Sequence, residues 1–146
     1  FLLIPKQFIT ESIIEKRQPL SASARRAGWT GCNILVERIP TDGRIFIVKD
    51  SVVCQKDDVL SKLRETEFLT RIDSNKRGWI VDIMRCIDTL DNDEFRLSEL
   101  YEFEEELQSL HPNNHHVQAK IRQQLQFLRD MGYVEFCGRG YYRRRR

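Results

Sequence analysis

Val117-Gln118-Ala119-Lys120-Ile121-Arg122-Gln123-Gln124-Leu125-Gln126-Phe127-Leu128-Arg129-Asp130, then Met131-Gly132-Tyr133, then Val134-Glu135-Phe136-Cys137-Gly138-Arg139-Gly140-Tyr141-Tyr142-Arg143, is the run that decides the fold. Val117, Ile121, Leu125 and Leu128 recur at three- and four-residue steps, which draws one apolar stripe along a helix and buries Gln124 in part. Pro112 breaks the chain before it, and Asn113 or Asn114 is the expected N-cap, worth about 1 kcal/mol over Ala. Gly132 stops the helix. Val134 to Cys137 then alternates as a strand, Gly138-Arg139-Gly140 turns, and Tyr141-Tyr142-Arg143 returns.

Two more helices precede it. Ile80, Ile83, Met84, Ile87 and Leu90 form a stripe from Trp79 onward, which Asp91-Asn92-Asp93 ends. Phe95-Arg96-Leu97 reads as a short edge strand. A second helix then turns Leu100, Phe103, Leu107 and Leu110 inward and Glu99, Glu102, Glu104, Glu105 and Glu106 mostly outward. Three helices, a short strand and a hairpin in this order describe a winged helix-turn-helix over residues 78–146.

Residues 1–49 read as β-rich, with strands at Phe1–Ile4, Cys32–Val36 and Arg44–Lys49 and a short amphipathic helix over Thr10–Lys16. Thr41-Asp42-Gly43 is a hairpin-turn signal. Three such strands make a poor sheet alone, and Phe1-Leu2-Leu3-Ile4-Pro5 reads as a strand already in progress, so the expectation is the C-terminal part of a longer protein. Residues 50–77 read as a linker with a short helix near Asp57–Leu69, ending in the polar run Asp73-Ser74-Asn75-Lys76-Arg77-Gly78.

Charge is sorted along the chain. His111 to Arg146 holds eight Lys/Arg and two acids, a net +6, whereas Trp79 to Leu110 nets −8 in a chain whose total is +2. A basic helix and hairpin of this form point to nucleic acid. Opposite the apolar stripe of the third helix lie His115, His116, Ala119, Arg122, Gln123, Gln126 and Asp130. A helix in a major groove reads bases mainly with its N-terminal half, which here offers Asn114, His115, His116, Ala119, Lys120, Arg122 and Gln123. Gln suits adenine because it can donate to N7 and accept from N6. Arg139 sits at the hairpin tip, where a wing touches phosphate or the minor groove. Arg143 to Arg146 reads as a basic run that acts by counterion release, in part as a frayed tail.

Other chemistries find little support. His115 and His116 are adjacent and diverge by about 100° on a helix, so no metal site is expected in this chain. No serine or cysteine has a base partner at a suggestive spacing. Pro40, Asp42 and Ile47-Val48-Lys49 approach a PD-(D/E)XK nuclease pattern, but the acid needed two positions before the lysine is Ile47. No catalytic residue is therefore expected here. Cys32, Cys54, Cys86 and Cys137 are widely spaced and read as free, mostly buried thiols in a reducing cytoplasm. No apolar run approaches the roughly 18 residues of a membrane span.

Pro19-Leu20-Ser21-Ala22-Ser23-Ala24-Arg25-Arg26-Ala27-Gly28-Trp29-Thr30-Gly31-Cys32-Asn33-Ile34 is the most distinctive string. It is a glycine-punctuated loop with two arginines and an exposed-looking indole: a backbone clamp, or a plug for a small core. The string closely resembles the PL-x-x-x-ARRAGW-x-GCNI stretch of DpnI-type methyl-directed restriction endonucleases, the dam-replacing group. Ile4–Phe8, Ser12–Ile14, Gly43–Phe46, Arg77–Trp79, Lys120–Gln126, Leu128–Asp130, Glu135-Phe136 and Gly138–Gly140 extend the likeness along nearly the whole chain.

The resemblance implies an α+β chain: the C-terminal edge of a PD-(D/E)XK nuclease domain followed by a winged helix-turn-helix domain. It implies cleavage of duplex DNA at GATC carrying N6-methyladenine, by a bacterial, cytoplasmic monomer whose substrate is nucleoid-associated. Magnesium and a structural zinc are implied for an N-terminal part absent from this sequence. Carried over by position, Trp29 would lie against the adenine methyl groups and Arg25 or Arg26 against backbone or bases. Arg96 departs from the family, which has a capping residue such as Thr there, and should slightly weaken the second helix. The alternatives are a winged-helix transcriptional regulator and a protein-interaction winged helix using the acidic second helix.

Overall fold

The computed structural model describes residues 1–145. Its first part contains β1 (Leu2–Leu3), β2 (Ile14–Lys16), β3 (Cys32–Ile34), β4 (Ile45–Phe46), β5 (Val48–Lys49) and β6 (Val52–Val53), with α1 (Lys56–Glu65) following. Its second part contains α2 (Ser74–Thr89), β7 (Glu94–Arg96), α3 (Leu97–Tyr101), α4 (Glu104–Leu110), α5 (Val117–Asp130), β8 (Val134–Gly138) and β9 (Tyr141–Arg144). The sheet order β7-β9-β8, all antiparallel, with α2, α3, α4 and α5 is the winged helix.

The first part forms three separate antiparallel pairs, β1 with β4, β2 with β3 and β5 with β6. The helix expected over Thr10–Lys16 is not there. Glu11–Ile13 is a 3₁₀ turn, and Ile14–Lys16 extends to pair with Cys32–Ile34. The consecutive β-branched Ile13 and Ile14 favour that extended backbone, with Ile13 buried and Ile14 outward. Thr41–Gly43 is also a 3₁₀ turn, not a hairpin. The hairpin lies one step further on, at Asp50 and Ser51, whose φ angles of 50° and 64° suit a primed turn between β5 and β6.

The run read as the polar end of a linker is the first turns of α2. Asp73 caps it: its Oδ1 accepts the Lys76 N–H at 3.0 Å. The second helix of the winged part is split into α3 and α4. A restart at Glu104 puts Glu104, Glu105 and Glu106 in a first turn, where the helix dipole favours acids, whereas one long helix would carry them toward its C-terminus. Arg96 at the start of α3 is served from the other side: the Glu99 carboxylate accepts its backbone N–H at 2.6 Å.

One apolar core runs through both parts. Phe8, Ile13, Ile39 and Leu69 join Trp79, Ile80, Ile83, Met84, Phe95, Leu107, Ile121 and Leu125 in it. Leu69, in the 3₁₀ turn after α1, is fully buried there, so residues 50–77 contribute to the core they connect. The cysteines are not mostly buried: Cys86 is, Cys54 is half-buried, and Cys32 and Cys137 are exposed. All four are free thiols.

Candidate nucleic-acid interface

Burial of Val117, Ile121, Gln124, Leu125 and Leu128 fixes which side of α5 faces out. Each fully buried aliphatic contributes about 1.5–3 kcal/mol to holding the helix on its neighbours. Gln118, Ala119, Arg122, Gln123 and Gln126 are left on the exposed side. Side-chain tethers hold both flanks. Arg122 Nη1 donates to the Tyr101 hydroxyl of α3 at 2.6 Å, and Gln118 Nε2 donates to Glu104 Oε2 of α4 at 2.7 Å.

The helix begins later than its sequence suggests. Val117 is the first helical residue and His116 is the N-cap, so Asn114 and His115 lie in the preceding turn. Asn114 Oδ1 is already engaged by the His116 N–H at 2.8 Å, which leaves it unable to cap α5. Gln108 Nε2 donates to the Asn114 carbonyl at 2.6 Å and pins that turn to α4. Asn114, His116, Ala119, Lys120 and Gln123 thereby gather around one shallow concavity of about 410 Å³. Five of the residues singled out from the sequence are brought together in this way. His115 and Gln126 are exposed but do not line the concavity.

Beneath the turn lies a polar group that sequence reading missed. His111 stacks on Trp79, with ring centroids 3.9 Å apart, and its Nε2 donates to Asp82 Oδ2 at 2.7 Å. Ser12, from the first part, donates to the other oxygen of Asp82 at 2.8 Å. Asp82 is buried among Ile80, Val81, Ile83 and Met84, where a carboxylate needs partners. That acid within an apolar stripe was the available signal. Its partners, distant in sequence, were not.

The wing tip carries Arg139 between Gly138 and Gly140, whose φ angles are 154° and 73°. Arg139 is exposed and makes no ion pair among the described residues. Arg143 is exposed but donates from Nε and Nη2 to Glu94 Oε1, at 3.0 and 2.6 Å, across β7 and β9. The frayed-tail reading of the terminal arginines fails for Arg143 and Arg144, which belong to β9. Arg144 is mostly buried and bound to Asp42 and Asp88 of the body, so it is structural. Arg146 lies outside the described residues.

The Trp29 loop is organised by its own backbone. The Leu20 N–H donates to the Trp29 carbonyl at 2.9 Å, the Gly28 N–H to Leu20 at 3.0 Å and the Arg17 N–H to Gly31 at 3.0 Å. Gly28 has φ 77°, which favours glycine, and a Cβ at Gly31 would lie 2.9 Å from the Trp29 ring, which would have to shift. Trp29 is 55% exposed, and Arg25 and Arg26 are exposed beside it. The indole is displayed and not used as a plug. Arg25, Arg26 and Trp29 form a surface of their own and do not line the concavity on α5.

Among the described residues no three His, Cys, Asp or Glu side chains gather as a metal site. Asp42, the acid of the nuclease-like pattern, accepts from Tyr133 and Arg144. The residues present do not fit the divalent ion or the zinc that the resemblance implies.

An outward helix with amide, imidazole and cationic groups at its N-terminal half, beside a wing tipped with arginine, defines a winged-helix DNA-binding protein. The model of the Dam-replacing HTH domain matches residues 75–144, and that of the Dam-replacing family matches residues 1–72. The chain belongs to the Dam-replacing, DpnI-type family. Membership places it among DNA-binding proteins of the methyl-directed restriction type.

Proposed function

We infer that this chain binds duplex DNA at GATC containing N6-methyladenine, as the recognition part of a restriction endonuclease whose full-length form cleaves that site. The observation that carries this reading is the gathering of Asn114, His116, Ala119, Lys120 and Gln123 around one concavity on α5, with Arg139 at the adjoining wing. The displayed indole of Trp29 supports a second contact with methyl groups. Burying one methyl contributes only about 0.8 kcal/mol, roughly fourfold in affinity, so a flat apolar surface at more than one methyl is what discrimination needs. Hydrolysis belongs to acids and a lysine outside these residues, with magnesium and a structural zinc held there. The protein works as a monomer in the bacterial cytoplasm.

Titration of the 146-residue chain with methylated and unmethylated GATC duplexes at one salt concentration tests this. Tighter binding of the methylated duplex without cleavage is expected. Equal affinity for the two sinks the methyl reading. Trp29→Ala should cut the preference about fourfold or more while leaving the α5 contacts intact.

A further inference from the structure

Gln124 is fully buried on the inner side of α5, yet its carboxamide is turned toward the outer face. Its Nε2 donates to Gln123 Oε1 at 3.3 Å, and its own Oε1 is buried without a partner among the described residues. The cavity beside it, about 590 Å³, is lined also by Lys76, Lys120, Trp79 and His111. Lys76 and Lys120 both line that cavity, and positive charge near the carboxamide favours its oxygen on that side and its Nε2 toward Gln123. Gln123, exposed on the concavity, therefore has its oxygen held from behind and its Nε2 hydrogens free.

That polarity decides what Gln123 can read. Unmodified adenine shows the major groove an N7 acceptor and an N6–H donor, and a Gln free at both ends matches the pair. When N6-methyladenine pairs with thymine, its remaining N6–H is used in the base pair and the methyl occupies the groove side. The groove edge then keeps N7 as its hydrogen-bonding group. Resting on the methyladenine reading above, we propose that Gln124 is a positioning residue that makes Gln123 a donor-only reader of methylated adenine. Gln123 Nε2 donates to N7, while Oε1, turned back toward Gln124, points away from the hydrogen that methylation removes. Ala119, one turn earlier in the same concavity, leaves room for the methyl.

The test uses the 146-residue chain and three GATC duplexes at fixed salt: unmethylated, N6-methylated, and methylated with 7-deaza-N6-methyladenine, which lacks N7. The native chain should prefer the methylated duplex and lose about tenfold on the 7-deaza form, the worth of one hydrogen bond. Gln124→Met keeps volume but cannot donate; it should bind the unmethylated duplex more tightly, and the preference should fall about tenfold. Gln123→Glu, at an exposed position, should reverse the preference. A native preference that Gln124→Met leaves unchanged overturns the positioning role and leaves the methyl reading standing. Equal native affinity for methylated and unmethylated duplexes overturns both. Should Gln124→Met not fold, the other two arms decide: no 7-deaza loss, or no reversal in Gln123→Glu, overturns the proposal.

Discussion

Replacing Arg144 with Met tests whether the last strand of the wing is bolted to the first part of the chain. The Arg144 Nη2 donates to Asp42 Oδ2 and Thr41 Oγ1, both at 3.0 Å, and its Nη1 pairs with Asp88 Oδ1. The Asp88 carboxylate also accepts from the Thr41 N–H at 2.6 Å and its hydroxyl at 2.9 Å, and Tyr133 donates to Asp42 at 2.7 Å. The Arg144 side chain is only 14% exposed, that of Asp88 11% and that of Asp42 27%. Methionine would keep the stem packed while stranding two poorly solvated carboxylates. Removing one partner of a fully buried pair costs about 3–5 kcal/mol, and the residual solvent contact of Asp42 points to the lower end, about 3 kcal/mol. For a chain of this size that is a fall in Tm of roughly 10 °C.

Urea unfolding followed by circular dichroism measures the loss directly. The companion variant Arg144→Met with Asp42→Asn and Asp88→Asn removes the stranded charges as well and should recover to within about 1 kcal/mol of the native chain. A loss below about 1 kcal/mol in the single variant, or a triple variant no more stable than the single one, refutes the account. Either result would mean that the cluster is solvated in the folded protein.

Arg139→Gln should weaken binding to every duplex alike and lower the slope of log K against log salt by about one, with fold stability unchanged; a change in sequence preference would contradict a phosphate role. Stability should also decline in alkali. Burial pushes the Cys86 thiol from 9.0 up to about 12. Burial, with the Asp42 carboxylate next, pushes the Tyr133 phenol well above its ordinary value of 10.0. The native state keeps both protons where the unfolded chain releases them, so stability is full below pH 9 and falls above it. The slope should be about 1.4 kcal/mol per pH unit once the thiol ionises in the unfolded chain, steepening near pH 10. Cys86→Ala should move the onset to about pH 10, and an unmoved onset by chemical denaturation rules out the thiol. Ser51→Gly should stabilise the chain by about 1 kcal/mol, since Ser51 holds φ 64° in the β5–β6 turn; a loss in urea midpoint would show that its side chain is needed.

The sequence is most legible where one local rule is strong. The four aliphatics of α5 and the glycines of the wing each announce their element without reference to anything distant. Thr10–Lys16 was misleading because its apolar spacing suits a helix, while the strand it forms is decided by Asn33 and Ile34, eighteen or more residues away. The β5–β6 turn is hidden because Asp50 and Ser51 adopt positive φ without a glycine to signal it. Of the interface, the outward residues of α5 follow from the helical period alone. The start of α5 does not, because Asn114 spends its side chain inside the turn and only the folded backbone shows that. Asp82 with His111 and Arg144 with Asp42 are pairings across distant sequence, which no local pattern encodes.

The charge sorted toward the C-terminal end is therefore not the same as charge offered to DNA. Eight basic residues would, if all met phosphates, give a salt slope near −7. Arg144 is withdrawn by burial between two carboxylates, and Arg122 is bonded to Tyr101. Arg129, Arg143 and Arg145 pair with Asp130, Glu94 and Glu135 at the surface. Exposed pairs of that kind contribute about 0–1 kcal/mol, so a phosphate can take the arginine from its carboxylate at little cost. The freed acid then stays beside the duplex and repels it, which the count of cations ignores. A slope well short of −7 follows, with Arg139 contributing its full share and Arg144 none. Glu94→Gln should strengthen binding through the released Arg143, whereas neutralising Asp42 and Asp88 should not, because Arg144 lies inside the fold.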